Sequence, residues 1–404
     1  MDFLKSFPQT PKKQFWLSTI ILLLCCWFVA LCVGHYLRQR PLWLDERGVF
    51  KSVEGFRVQD FFTEKLTGGQ IFPRVYLFLI QKISQAFNFA LLSLRFLSFV
   101  SMLAAFLIWL RLAGYELKNR REYLTFVLCW VASVPLVYYS AELKQYSMDV
   151  LAAAVFLWFL EKQTELASGN NRRYMILLMA LPLLGLFSYP AFLFFIFPLY
   201  NLFVTQSGNR RNYFPAVGYG AVVLAVTCFV YLFDIRIAGA TADSQGFSDY
   251  AISFQSVGEF FKTFGEGTMN LFSRWFAEQP RILKKIGVFF AVFGMLYIPY
   301  AFVKNFRWGK PLKNLDVLAF VLYAELFLLG VLKKYPFTVP RTSLFFCPVA
   351  FVMAIKGIAE VKRWNRSAGL LVQILFLIFL TIIALGVTRS VMFDDHLGAI
   401  HRIW

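Results

Sequence analysis

The chain has 404 residues, of which 59% are hydrophobic, 19% aromatic and only 16% charged. Soluble domains carry about 45–50% apolar and about 25% charged residues, so the composition excludes an ordinary water-soluble enzyme. The net charge of +18 does not mark a nucleic-acid binder, because most Lys and Arg lie in short clusters between apolar blocks and no RNA or DNA motif is present.

The first apolar block, 15–34, follows Lys12 and Lys13 and is longer than a signal-peptide core, which predicts an uncleaved first span. A long loop, 35–91, comes next. In it "LWLDER" places Asp45 as N-cap of a helix running to about Val53, with Glu46 in the first turn where the helix dipole favours an acid. The stretch "PRVYLFLIQKISQAF" (73–87) has apolar residues at helical spacing and predicts an interfacial helix. Further spans are predicted at 92–112, 123–139, 147–160, 174–188, 190–206 and 213–233. A second long loop, 234–285, contains "FQSVGEFFKTF" and "NLFSRWFAEQ" and predicts more interfacial helices. Spans at 286–304, 315–332, 342–358 and 368–388 complete a set of eleven. The expected fold is therefore all-α: one polytopic transmembrane domain over 1–404, with about eleven transmembrane helices (ten to thirteen).

Basic segments fix the expected orientation. With the N-terminus in the cytoplasm, Lys5, Lys12 and Lys13, then "RLAGYELKNRR", "NNRR", "GNRRN", "KNFRWGKPLKN" and "KGIAEVKRWNR" all fall on the cytoplasmic side. The two long loops, the turn "YYSAELKQYS", the segment "KKYPFTVPRTS" and the C-terminal tail then face outward. A bacterial inner membrane suits this arrangement.

Three outward segments carry ionisable groups. Asp45 and Glu46 form an acidic pair that serves equally as a helix cap or as a general base at the membrane surface. In "YYSAELKQYSMD" (138–149), a continuous helix would put Glu142, Tyr146 and Asp149 on one face, whereas a break near Ser140 would turn Lys144 toward the same cavity. Lys333, Lys334 and Arg341 are cations on the face that ought to be poor in them, which suits a phosphate or pyrophosphate. Arg74, Lys82 and Arg95 add weakly to that basic surface. The tail residues Asp394, Asp395, His396 and His401 lack a recognised ligand spacing. The six cysteines lie within or at the ends of apolar runs and suit buried thiols, and the three histidines give little material for a zinc site. There is no P-loop, dinucleotide fingerprint, nucleophile elbow or HExxH.

The acidic "LDE" after the first span, the surface helix, the span "SLRFLSFVSMLAAFLIWL", the turn "YYSAELKQYSMDVL" and the later "YPFTVPRTSLFFCPV" occur in the order found in the GT-C superfamily of membrane glycosyltransferases. The chain resembles the branch holding the protein O-mannosyltransferases and the lipid A aminoarabinose transferase. The resemblance implies an inverting transfer of sugar from a polyprenyl-phosphate donor to a glycan, lipid or protein acceptor outside the cytoplasm. It implies that Asp45, with Glu46 beside it, is the catalytic carboxylate, and that Lys144 and Arg341, then Lys333, Lys334 and Arg74, bind the donor phosphate. Glu142, Tyr138, Tyr139, Tyr146 and Tyr335 are expected to line the cavity. Two departures stand out: Lys144 where the branch commonly has Arg, and "FPRVY" where it has a double proline. No cofactor is firmly implied and no metal ligands are specified, although a divalent metal is compatible. A transporter or flippase for a lipid-linked sugar is the alternative, and a non-catalytic envelope subunit a third.

Overall fold

A computed structural model of the chain describes residues 11–169, 171–205, 214–238, 252–273, 275, 281–337 and 341–392, and every regular element among them is helical. The first half contains α1 (Pro11–Leu37), α2 (Leu44–Gly55), α3 (Asp60–Thr63), α4 (Arg74–Gln85), α5 (Leu91–Glu116), α6 (Arg120–Ala132), α7 (Val134–Tyr139) and α8 (Tyr146–Gly169). The second half contains α9 (Asn171–Ala180), α10 (Ile196–Thr205), α11 (Phe214–Val230), α12 (Val257–Ser273), α13 (Arg281–Asn305), α14 (Leu315–Val331), α15 (Cys347–Trp364) and α16 (Arg366–Met392).

Among the described residues, six helical stretches are long and apolar enough to cross a membrane: Phe15–Leu37, Leu91–Glu116, Phe214–Ala238, Lys285–Asn305, Leu344–Trp364 and Arg366–Met392. The chain is thus a multi-pass membrane protein. Of the other five predicted spans, 147–160 lies in the continuous α8, which carries Asp149, Glu161 and Lys162, 315–332 forms the 17-residue α14, and the remaining three are interrupted. Span 123–139 is cut at Ser133, because Pro135 lacks the N–H a continuous helix would use. Spans 174–188 and 190–206 tighten into 3₁₀ turns at Leu181–Leu186 and Tyr189–Phe194, each opening next to a proline. Of the second long loop, residues 239–251, 274 and 276–280 lie outside the described residues, which takes in the end of the helix expected at "NLFSRWFAEQ", and so does the tail with Asp394, Asp395, His396 and His401.

The core sits where α5 packs on α8, α1 and α16 on α6, and α13 on α15. Trp130 of α6 stands edge-on to Phe28 of α1 at 5.3 Å and tilted against Phe106 of α5 at 5.0 Å. At the α13–α15 crossing a Cβ on Gly357 would lie 2.4 Å from the Phe293 carbonyl oxygen, so only glycine lets these backbones approach so closely. On the side expected to face the cytoplasm, Lys356 of α15 is ion-paired with Glu116 of α5 and Asp316 of α14.

The first loop is a folded cap with its own core. Val49 and Val53 of α2 pack with Phe61, Phe72, and Tyr76, Leu77 and Ile80 of α4, whose apolar face recurs at helical spacing. Leu143, from the turn after α7, completes this core. Gln81 donates to the carbonyls of Val53 and Phe56 at 2.8 and 2.6 Å, satisfying the C-terminal end of α2. The predicted start of α2 shifts by two residues: Trp43 is the N-cap, and Asp45 lies in the first turn, which frees its side chain from capping.

Candidate active site

Between α7 and α8 the helix breaks at Ser140, and residues 140–145 form a buried turn, so the interrupted arrangement is the one adopted. The Lys144 N–H donates to the Glu142 carbonyl at 2.8 Å, and its own carbonyl accepts from Ser98 at 2.9 Å. This fixes the turn against α5 and brings both Glu142 and Lys144 beneath the start of α2.

Asp45 projects from the first turn of α2 and meets Arg341 at 3.2 Å, 296 residues away in sequence. The two side chains keep 31% and 23% of their surface exposed, so the pair is reachable by a ligand. Lys144 is buried; its ammonium donates to Gln70 Oε1 at 2.6 Å, and the Gln70 amide donates to the Asp45 carbonyl at 2.9 Å. Burial lowers the Lys144 pKa against the opposing pull of Asp45 and Glu142. Glu142 is fully buried, takes the Trp43 indole N–H on Oε1 at 2.8 Å, and leaves Oε2 without a hydrogen bond. Burial, and then the charge of Glu46, push its pKa up to about 7.

Glu46 points the other way. Arg95 donates to it through Nε and Nη2 at 3.1 and 2.8 Å, the Leu143 N–H at 2.6 Å, and Arg40 stands 3.7 Å off. Burial alone would raise its pKa, but these cations and the N–H hold it below the usual carboxylate range. Fully buried and multiply bonded, Glu46 locks α2 to α5 and to the turn; the acidic neighbours Asp45 and Glu46 face different surroundings and do different work.

The aromatic residues behave unevenly. Tyr138, Tyr139 and Tyr146 are buried and stack edge to face, Tyr138 on Tyr139 at 5.2 Å and Tyr139 on Tyr146 at 4.9 Å. Tyr139 and Tyr146 lie within electrostatic reach of Arg341. The Arg40 guanidinium caps the Tyr138 ring at 4.4 Å. Tyr335 donates to the Thr342 carbonyl at 2.5 Å, fastening the loop that carries Arg341. Lys333 and Lys334 are exposed, and Lys333 has a left-handed backbone (φ 55°) as the chain turns out of α14. Arg74 does not join Lys144 and Arg341. It is buried, donates to the carbonyls of Phe61 and Glu64 at 3.1 and 2.8 Å, and sits near Asp234 and Tyr189.

Trp43, Arg40 and Gln70 were not singled out from sequence, and Arg95 only weakly. Arg95 did carry a signal: a cation inside an otherwise apolar span demands a buried partner. Among the described residues no group of three His, Cys, Asp or Glu side chains is arranged to hold a metal ion.

No protein-family model matches the chain, and no curated protein matches it. Among solved structures it is similar to the apo crystal structure of ArnT from Cupriavidus metallidurans, with 15% sequence identity and a TM-score of 0.49 over 85% of this chain. The match spans 61% of the length of that ArnT chain.

Proposed function

We propose that the protein transfers a sugar from a polyprenyl-phosphate donor to an acceptor hydroxyl on the extracytoplasmic face of a bacterial inner membrane. The observation that carries this reading is the partly exposed Asp45–Arg341 pair with buried Lys144 and Glu142 beside it. An acid able to accept a proton and cations able to hold a phosphate stand side by side, and the ordered motifs resembling the GT-C superfamily support the same chemistry. In this reading all eleven predicted segments cross or enter the membrane, with the N-terminus inside.

The acceptor oxygen attacks the anomeric carbon as the bond to the lipid phosphate breaks. Asp45 takes the hydroxyl proton. The phosphate leaves with the bonding electrons as an anion stabilised by Arg341 and Lys144. For Asp45 to act, the donor phosphate must draw Arg341 from its carboxylate, so the resting ion pair marks where both ligands bind. Lipid phosphate is itself the leaving group, which accounts for a site built without a nucleotide motif. Glu46 serves as a positioning residue through its hold on the first turn of α2.

Asp45→Asn in purified, lipid-reconstituted protein tests this. Transfer should fall by about 100-fold or more, within the range of general-base effects, while folding and polyprenyl-phosphate binding persist. Unchanged transfer would remove Asp45 as the essential carboxylate.

A further inference from the structure

A second built feature lies along α11. Val222, Ala225, Val226 and Phe229 recur every three or four residues, and with Leu183 and Leu186 they line an apolar groove of about 430 Å³. The same face continues through a π-helical turn, Tyr231–Ile235, into a cleft of about 870 Å³ where Leu232, Phe233 and Arg236 face Phe62 and Lys65. Phe62 joins the two, packing on Phe229 at 6.0 Å and on Phe233 at 5.5 Å.

The walls of the cleft are fastened from behind. Arg74 holds the Phe61 and Glu64 carbonyls, and Asp234, 2% exposed, accepts from the Tyr189 hydroxyl at 3.1 Å. The Asp234 carboxylate also faces the first N–H of α4, and its Oδ1 has no hydrogen-bond partner. A π-turn here rotates Asp234 inward while leaving Arg236 exposed at the mouth. Arg236 and Lys65 are exposed cations, against the one acid, Glu64, in the lining.

We infer that this is a lipid site: the groove takes a hydrocarbon chain entering sideways from the bilayer, and Arg236 with Lys65 holds the chain's phosphate head. An apolar channel on a membrane-spanning helix, ending in cations at the expected membrane surface, complements an anionic phosphate-headed lipid. The inference needs only these residues, and it stands whether or not Asp45 and Arg341 act in sugar transfer.

The test uses the full chain in neutral detergent, with long-chain phosphatidic acid as probe, diacylglycerol as its uncharged counterpart, and inorganic phosphate. Phosphatidic acid should bind more tightly than either. Arg236→Ala combined with Lys65→Ala should weaken phosphatidic acid by about tenfold or more while leaving diacylglycerol unchanged. Ala225→Trp, which fills the groove without touching the cations, should weaken both lipids. Arg341→Ala should change none of these values, which separates this site from the candidate active site. Equal binding of phosphatidic acid and diacylglycerol, phosphate binding as tight as lipid, or insensitivity to Ala225→Trp in protein that elutes as a single species would each overturn the inference.

Discussion

Glu142 shows how one buried carboxyl ties the site to pH. Its unfolded pKa is that of an ordinary glutamic acid, 4.5, and its folded value is about 7, so the folded chain keeps this proton to higher pH than the unfolded chain. The stability it contributes is full below 4.5 and is lost as pH rises through 7. Glu46 runs in the opposite sense: its folded pKa is depressed, so its contribution is present above 4.5 and is lost as pH falls. Thermal melting of the detergent-solubilised protein should therefore show a midpoint that declines from pH 5 toward pH 7.5, and Glu142→Gln should flatten that decline. A slope unchanged by Glu142→Gln would mean the carboxyl is already charged in the folded chain. The adjacent acids at 45 and 46 were legible as a pair, but their division of labour was not. Neighbouring residues on a helix point about 100° apart, and which of them meets Arg95 or Arg341 depends on elements far away in sequence.

At the scale of elements, α2 is held by charge and hydrogen bonding more than by its own length. Its twelve residues would be marginal alone, and Glu46 clamps it to Arg95 of α5 and to the Leu143 N–H. Removing one partner from a buried ion pair leaves the other charge uncompensated and costs about 3–5 kcal/mol. Arg95→Ala should accordingly destabilise the protein by about that amount. Arg341→Ala, which breaks a partly exposed pair, should cost under about 1 kcal/mol. Comparable losses for the two variants in denaturation would contradict this division between clamp and site. The long apolar helices, the helix over 74–85 and the possibility of a break at Ser140 could be read from hydropathy, spacing and composition. The interruptions at Ser133 and around Pro182 and Pro190 were harder, because the apolar pattern continues through them while the backbone changes its hydrogen bonding. Gln70 gave no signal at all: a single polar residue in a loop gains meaning only once Lys144 and Asp45 lie on either side of it.

At the scale of the whole molecule, the fold works by convergence. The first-loop cap contributes Asp45, the turn after α7 both Glu142 and Lys144, and the segment leading to α15 Arg341, and the packing of α5 on α8 and of α15 against α6 brings them together. Basic clusters in the sequence set the expected sidedness, but they could not separate cations that share a site from cations that do not. Arg74 illustrates the limit: on sequence it belonged with Lys144 and Arg341, yet it is consumed in fastening the 60–65 turn near Asp234.

The central claim is that Arg341 is held by Asp45 until a lipid phosphate takes its place. The most direct measurement is the affinity of wild-type and Arg341→Ala protein for a polyprenyl phosphate and for the corresponding polyprenyl alcohol. The account predicts that the substitution weakens the phosphate by about tenfold or more, as expected for a lost charge-assisted contact, and leaves the alcohol unchanged. Equal weakening of both, or no change in either, would contradict it.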